Sequence, residues 1–291
     1  IRAIIQDIQM RVWRWVGDTP SIYYFNPFPD KSTLQTAIDA WINDQNSAKE
    51  LYGDINKWDV SQITDFSSLF EDEDTFNSDI SNWDVSSGTN FGYMFDGAES
   101  FNQDIGNWDV SSGEDFGSMF LEAESFNQDI GNWDLSSANN LDGMFIYADS
   151  FNQDIGKWDV SKVTDFSYMF YGNDSFNQEI GDWDVSNGTN FSDMFYEADL
   201  FNQDISDWDV SNGIYFAGMF NDADSFNQDI GDWDVSNGTY FKQMFYEADS
   251  FNQDLRNWTL NENAYLEEIF KGADLMQSQQ GVGDTPSIYY F

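Results

Sequence analysis

The sequence predicts a repeat solenoid in which short β-strands alternate with helical or 3₁₀ turns, preceded by a helical N-terminal cap. Three observations lead to this fold class. Nine tryptophans are spaced 25 residues apart, two further series of apolar residues share that period, and neither one helix nor one strand accounts for the apolar spacing within a unit. A single unit cannot cover its own rings, so neighbouring units are expected to stack and bury them for one another.

The repeated apolar positions form three series. The first is Trp58, Trp83, Trp108, Trp133, Trp158, Trp183, Trp208, Trp233 and Trp258. The second is Phe70, Phe95, Phe120, Phe145, Phe170, Phe195, Phe220, Phe245 and Phe270. The third is Phe76, Phe101, Phe126, Phe151, Phe176, Phe201, Phe226, Phe251 and Met276.

The local structure of one unit is predicted from the turn around Phe116. The segment at Phe116 is a β-strand candidate, and FGSMFLEA, which begins there, is a helical or 3₁₀ turn candidate. WDVSSG is interpreted as a connecting arc, because Asp and Ser bond to nearby backbone and Gly supplies a turn.

The chain divides into four parts, three of which lie outside the repeat. These are an amphipathic helix and junction segment over 1–29, a cap helix over 30–52, the solenoid over 53–276, and a second junction segment over 277–291. Asp30 or Ser32 is expected to cap the second helix. The apolar residues of that helix recur at helical spacing and are Leu34, Ile38, Trp41 and Ile42.

The decapeptide VGDTPSIYYF occurs twice, at Val16–Phe25 and at Val282–Phe291. One interpretation is a junction between modules of a tandem array; the other is that both copies are edge strands of one module. The helix predicted over 1–15 carries Arg2, Arg11 and Arg14. We expect these arginines to mediate assembly by meeting acidic partners on the solenoid or on a neighbouring module, in preference to a membrane surface.

The charge balance restricts the partners. There are 53 acidic and 11 basic residues, a formal net charge of −42, which disfavours nucleic acids and anionic membranes. Cations, basic protein patches and neutral glycans remain. The absence of Cys and His excludes the usual zinc, haem and iron–sulfur sites and Cys or Ser–His nucleophiles. No apolar run is long enough to predict a transmembrane span.

Two series of acidic residues run along the predicted stack, starting at Asp59 and Asp79. Carboxylates ~5 Å apart repel by roughly 0.8 kcal/mol per pair in water. Hydrogen bonds to backbone amides or bound calcium would relieve this repulsion, and the first is the favoured hypothesis. The calcium candidates are Asp104, Asp129, Asp154, Asp109, Asp134 and Asp159.

Asparagines form another polar series, beginning with Asn102 and Asn127, and are expected to bond the backbone of the next unit. Candidate glycosylation sites are Asn173, Asn187, Asn190, Asn237 and Asn257. No catalytic or cofactor-binding residue is predicted. A polysaccharide hydrolase is disfavoured, because an active site interrupts a repeat at one place whereas these acids recur in nearly every unit.

The units GKWDVSKVTDFSYMFYGNDSFNQEI and DINKWDVSQITDFSSLFEDEDTFNSDI resemble the BspA-like leucine-rich repeats of microbial surface proteins, whose hallmark is WDVSNVTDMSxMFxxAxxFNQDIS. The resemblance covers roughly Lys31 to Met276. It implies a leucine-rich-repeat-like solenoid that is exposed at the cell surface, serves adhesion and has no catalytic residues.

These observations together predict a secreted or cell-surface, non-enzymatic structural and adhesive module. We expect it to be one unit of a tandem array or head-to-tail fibre whose partners are other copies of itself. The alternative is a discrete adhesin that binds one host or matrix protein or a glycan, with or without calcium.

Overall fold

The computed structural model describes residues 14–15, 20–21 and 27–291. Two short strands, β1 (Arg14–Trp15) and β2 (Pro20–Ser21), pair antiparallel. Apart from β1, the helix predicted over 1–15 lies outside the described residues, as does most of the first decapeptide copy. Arg2 and Arg11 also lie outside them, and only the backbone of Arg14 is described.

The N-terminal cap consists of two helices, α1 (Lys31–Asn43) and α2 (Gln45–Tyr52). The α1 N-cap is Asp30, whose side chain accepts a hydrogen bond from the Thr33 backbone N–H at 2.8 Å. Asp44 follows α1 in an extended conformation (φ −157°, ψ 94°) and caps α2 by accepting bonds from N–H groups in its first turn. This one extended residue divides the region predicted as one helix into two.

The apolar face of α1 closes the first coil of the repeat. Leu34, Ile38 and Trp41 are buried, and the Trp41 ring lies edge-on to Trp58 with centroids 5.9 Å apart. Phe28 covers the same indole at 5.5 Å. A 3₁₀ turn, Ile55–Lys57, then leads into the repeat. The cap therefore shields rings that have no preceding coil to cover them.

Successive 25-residue coils stack on one another, and the core is a column of aromatic rings. Phe120 and Phe145 are parallel neighbours from adjacent coils, with centroids 5.7 Å apart and an interplanar angle of 4°. Within one coil, Phe145 stacks on Phe151 at 4.0 Å. Both are fully buried. Each ring is thus covered from its own coil and from the next, so no unit could bury its rings alone.

The predicted β-strands are wrong. Outside β1 and β2, the described residues contain no strand, and adjacent coils share only isolated parallel bridges such as Asp115 to Asn140. From Phe116 to Glu122, the N–H groups of the even-numbered residues donate to carbonyls of the next coil. The Gly117 N–H donates to Asp115 Oδ1, and the N–H groups of Met119, Leu121 and Ala123 donate to the carbonyl three residues earlier. Ser118 and Glu122 have positive φ values of 52° and 54°.

This alternation has a direct structural consequence. A residue with positive φ cannot belong to an extended strand, and a pair of them in each coil also prevents a continuous helix. FGSMFLEA therefore forms a succession of turns, neither helical nor 3₁₀. The leucine-rich-repeat-like fold class, with its short strands, is overturned by this backbone geometry.

The last coil is followed by α3 (Asp274–Gln280), which ends at Gly281 in the left-handed conformation (φ 73°). The chain then returns across the end of the stack as the second decapeptide copy, with a 3₁₀ turn at Ile288–Tyr290. None of the helices within the described residues is long and apolar enough to cross a bilayer.

Candidate functional surface

Carboxylates of the Asp59 series accept a hydrogen bond from the backbone N–H of the residue two positions later in the chain. Asp109 Oδ1 accepts a hydrogen bond from the Ser111 N–H at 3.1 Å, and Asp134 and Asp159 make the same bond to Ser136 and Ser161. Hydrogen bonds from the Ser136 hydroxyl and from the Ser136 backbone N–H lower the pKa of Asp134. The series therefore stabilises the arcs that connect the coils.

The Asp79 series is arranged in the same way. Asp104, Asp129 and Asp154 accept bonds from the N–H groups of Gly106 and Gly131, at 3.0 Å, and of Gly156, at 3.1 Å. A coil contributes at most one carboxylate to each series, and the last coil has Thr259 in place of the Asp59-series acid. The described residues contain no group of three or more acidic side chains placed to hold a metal ion. The six calcium candidates thus lie in ladders of backbone-bonded side chains, without a converging ligand set.

The asparagine series joins the coils, as expected. Asn127 Oδ1 accepts hydrogen bonds from the Asn152 backbone N–H at 3.0 Å and from Gln153 Nε2 at 2.7 Å. The same pair of bonds recurs from Asn152 to the following coil. Because each amide satisfies backbone and side-chain donors of its neighbour, this series links the outer edges of the coils.

A third acidic series was missed by the sequence reasoning. It runs through every coil, its carboxylates accept no hydrogen bond from any described residue, and all nine members are exposed. The members are Asp74, Glu99, Glu124, Asp149, Asp174, Asp199, Asp224, Asp249 and Asp274. The sequence does show this series through its constant 25-residue period. The period is easily overlooked because some coils have Asp and others have Glu at this position.

Members of this Asp74 series repel one another between coils. Partial burial, together with the charges of Asp174 and Glu124, raises the pKa of Asp149. Burial and the charges of Asp174 and Asp224 likewise raise the pKa of Asp199. The series is therefore a strip of negative charge, and no described residue of the chain neutralises the repulsion between its members. A positively charged partner would be attracted to this strip.

Two other carboxyl groups belong to residues within the turns that contain positive φ. Burial, with the charges of Glu71, Asp72 and Glu122, raises the pKa of Asp96 to about 6. Burial raises the pKa of Asp193 to about 6 as well, partly opposed by a hydrogen bond with the Tyr168 side chain. Both groups gain a proton more readily in the folded chain than in the unfolded chain.

The positions that form the inter-coil bridges change character along the stack. In six coils an Asp or Asn at this position accepts a bond from the N–H two residues later, as Asn190 does from Ser192 at 3.1 Å. In the last three coils the residue is Tyr215, Tyr240 or Tyr265, each between 43 and 49 % exposed. Their adjacent ring centroids are 5.5 and 6.3 Å apart. We call these three residues the tyrosine strip.

The five candidate glycosylation sites differ in accessibility. Asn173 is fully buried, and its Oδ1 accepts bonds from the backbone at Ser175 and Phe176, so its amide cannot meet an enzyme in the folded chain. Asn190 is partly buried in a bridge. The exposed sites are Asn187, Asn237 and Asn257.

Comparison with known families decides the classification. The model of the family described as "Mycoplasma protein of unknown function, DUF285" matches three overlapping segments, residues 38–149, 127–213 and 183–282. The chain belongs to this family. The DUF285 matches cover the coils and part of the cap, so they coincide with the observed repeat.

The DUF285 assignment also corrects the earlier resemblance. No BspA-like or leucine-rich-repeat family model matches, so the similarity inferred from the WDVS and FNQ motifs is wrong, as is the solenoid class attached to it. No curated protein and no solved structure matches this chain. Its function has to be argued from the repeated surface.

Proposed function

We propose that this DUF285 chain is a non-enzymatic structural and adhesive module that acts outside the cell or at its surface, as one unit of a tandem array or head-to-tail fibre. The observation that carries this proposal is the Asp74 series. It presents an exposed Asp or Glu carboxylate at the same position of every coil, with no hydrogen-bond partner among the described residues.

Regular presentation of one charge favours attachment through many equivalent contacts. A single exposed ion pair contributes at most about 1 kcal/mol, which is too little for specific binding. Several such contacts made at once along a rigid ladder raise the overall affinity through effective concentration. The partner that fits is a basic surface with repeated positive charges, such as a lysine-rich region of a matrix protein.

The test removes the charges step by step. Asp149→Asn, then Asp149→Asn with Asp174→Asn, then both with Asp199→Asn are compared for retention on immobilised poly-L-lysine and on a panel of immobilised matrix proteins. We expect a stepwise loss, each substitution lowering the salt concentration needed for elution. Unchanged elution of the triple variant would contradict the proposal.

A charge-matched control separates the series from net charge. Asp159→Asn, Asp184→Asn and Asp209→Asn remove the same three charges from the Asp59 series, and the asparagine oxygen can still accept the serine N–H. These acids already accept internal hydrogen bonds. We therefore expect a smaller change in elution than in the Asp74 series.

A second candidate function, a discrete adhesin for one matrix protein or glycan, is favoured by the tyrosine strip. Exposed Tyr side chains offer large contact areas at low entropic cost and are frequent at the centres of binding sites. The strip departs from the repeat at one place, as a single binding patch would. Tyr215→Asn, Tyr240→Asn and Tyr265→Asn restore a residue type found at this position in earlier coils.

The discrete-adhesin hypothesis predicts that this triple variant loses binding to one ligand of a glycan and matrix-protein panel. Tyr93→Asn, at an exposed tyrosine outside the strip, is the control. Retained binding of every ligand by the strip variant would rule out the discrete site and leave the repeated acidic surface as the adhesive feature.

A further inference from the structure

The second decapeptide copy occupies the place that another coil would take. Inside the stack, the Phe245 N–H donates to the carbonyl of Ile269 in the next coil at 2.9 Å. At the end of the stack, the equivalent N–H of Phe270 donates to the carbonyl of Asp284 at 3.1 Å. The decapeptide thus supplies the acceptor that a further coil would have supplied.

The aromatic column continues into the decapeptide in the same way. Trp208 and Trp233 stack with centroids 6.4 Å apart, and Phe291 stacks on Trp258 at 5.9 Å with an interplanar angle of 16°. Phe291 also lies 6.2 Å from Phe270. The terminal ring therefore substitutes for the next tryptophan and covers two rings of the last coil.

Other decapeptide residues include both anchors and an exposed aromatic side chain. The Thr285 hydroxyl accepts a bond from the Glu268 N–H at 2.7 Å, and the Asp284 carboxylate accepts one from Gln277 Nε2 at 2.8 Å. Val282 is buried, whereas Tyr289 is 91 % exposed. The contacts thus define a seat formed by the last coil and α3, with Tyr289 outside it.

The first copy contains every anchor. Val16, Asp18, Thr19 and Phe25 are equivalent to Val282, Asp284, Thr285 and Phe291, because the ten residues are identical. The decapeptide is also not tied to one conformation. Pro20–Ser21 pairs with β1 as a strand, whereas the same two residues at 286–287 form none. Its surroundings therefore decide its structure.

The first copy cannot reach the seat of its own chain. Phe25 is three residues from Phe28, so their Cα atoms lie within ~11 Å of each other. Phe28 packs on Trp58, and eight coil steps separate Trp58 from Trp258. At ~4.8 Å per step this is roughly 38 Å. A first copy bound in the seat must come from a second molecule.

We infer that the seat accepts the Val16–Phe25 segment of a second copy of this chain, which joins molecules head to tail. The inference rests on the proposed role in an array and names the contact that builds it. The resident copy is tethered through Gly281 and so has a high effective concentration at the seat. The incoming copy binds when the resident copy is displaced.

The test uses the full chain with the resident copy weakened by Val282→Asp and Phe291→Ala, and a fluorescein-labelled peptide of sequence VGDTPSIYYF. Fluorescence anisotropy should show saturable binding to this double variant. The unaltered chain should bind the peptide at least about tenfold more weakly. Replacing the terminal phenylalanine of the peptide by alanine should weaken binding at least about tenfold, whereas replacing its first tyrosine, equivalent to the exposed Tyr289, should not.

Assembly provides the second measurement. The double variant should form oligomers by light scattering, and adding Val16→Asp and Phe25→Ala should return it to monomers. If circular dichroism shows that the double variant is unfolded, Phe291→Ala alone replaces it. No peptide binding by a folded variant, or binding insensitive to the terminal phenylalanine, would overturn the inference. Retention on poly-L-lysine does not involve the seat, so its loss or persistence tests the proposed function separately.

Discussion

Replacing Asn152 by alanine tests whether the asparagine series holds the coils together. Asn152 Oδ1 accepts two bonds from the following coil, from the Asn177 N–H at 3.0 Å and from Gln178 Nε2 at 2.9 Å. A net contribution of about 0.5–1.5 kcal/mol per bond gives an expected loss of about 1–3 kcal/mol in the free energy of unfolding. The bond that the Asn152 N–H donates to the preceding coil is retained.

Asn252 is the matched control, because it lies at the same repeat position with no further coil to bind. It is partly buried, as Asn152 is, and among the described residues its Oδ1 accepts one bond, from Gln280 Nε2 at 3.4 Å. Its Nδ2 donates an exposed bond to Gln279. We expect Asn252→Ala to cost less than about 1 kcal/mol.

Urea denaturation followed by tryptophan fluorescence measures both variants. The expected result is a clearly lower midpoint for Asn152→Ala than for Asn252→Ala. Equal midpoints for the two variants would refute the reasoning, because the substitutions differ in whether a following coil loses its acceptor.

Three further predictions concern the core, the titrating acids and the calcium candidates. Phe145→Ala should lower the free energy of unfolding by about 3–5 kcal/mol in the same urea assay, since the ring is fully buried between two coils; a loss below about 1 kcal/mol would argue against a closely packed column. Because burial raises the pKa of Asp193 to about 6 from 3.8, ionisation opposes folding at neutral pH, and the melting temperature should rise as pH falls from 7.5 to 5.5. Asp193→Asn should raise the melting temperature at pH 7.5 and reduce that rise, whereas an unaltered pH profile would exclude this carboxyl as a source. EDTA should leave the melting temperature unchanged, because the candidate carboxylates are spread singly over the coils; a fall reversed by calcium and not by magnesium would show a specific site.

The corrections concern backbone conformation and classification. Aromatic residues around Phe116 are typical of a strand, yet the neighbouring Ser118 and Glu122 have positive φ, which is uncommon for such residues and gives no pattern in the sequence. The WDVS and FNQ motifs suggested a leucine-rich-repeat family, but the family model that matches is that of DUF285, over most of the repeat. The motifs resemble those of leucine-rich repeats, but the backbone lacks the strands of that fold. Similarity of motifs therefore did not identify the family.

The sequence by itself determined which residues are buried, because a ring at every twenty-fifth position has to be covered by its counterpart in the next unit, and this requirement is visible in the spacing alone. It also located the N-cap candidates and the duplicated decapeptide. Only the tertiary structure decided the positive φ values within the turns, the partners of the Asp carboxylates and the place of the second decapeptide copy. Those features depend on which carbonyl or N–H group of a neighbouring coil lies within hydrogen-bonding distance, and that is set by the stack as a whole.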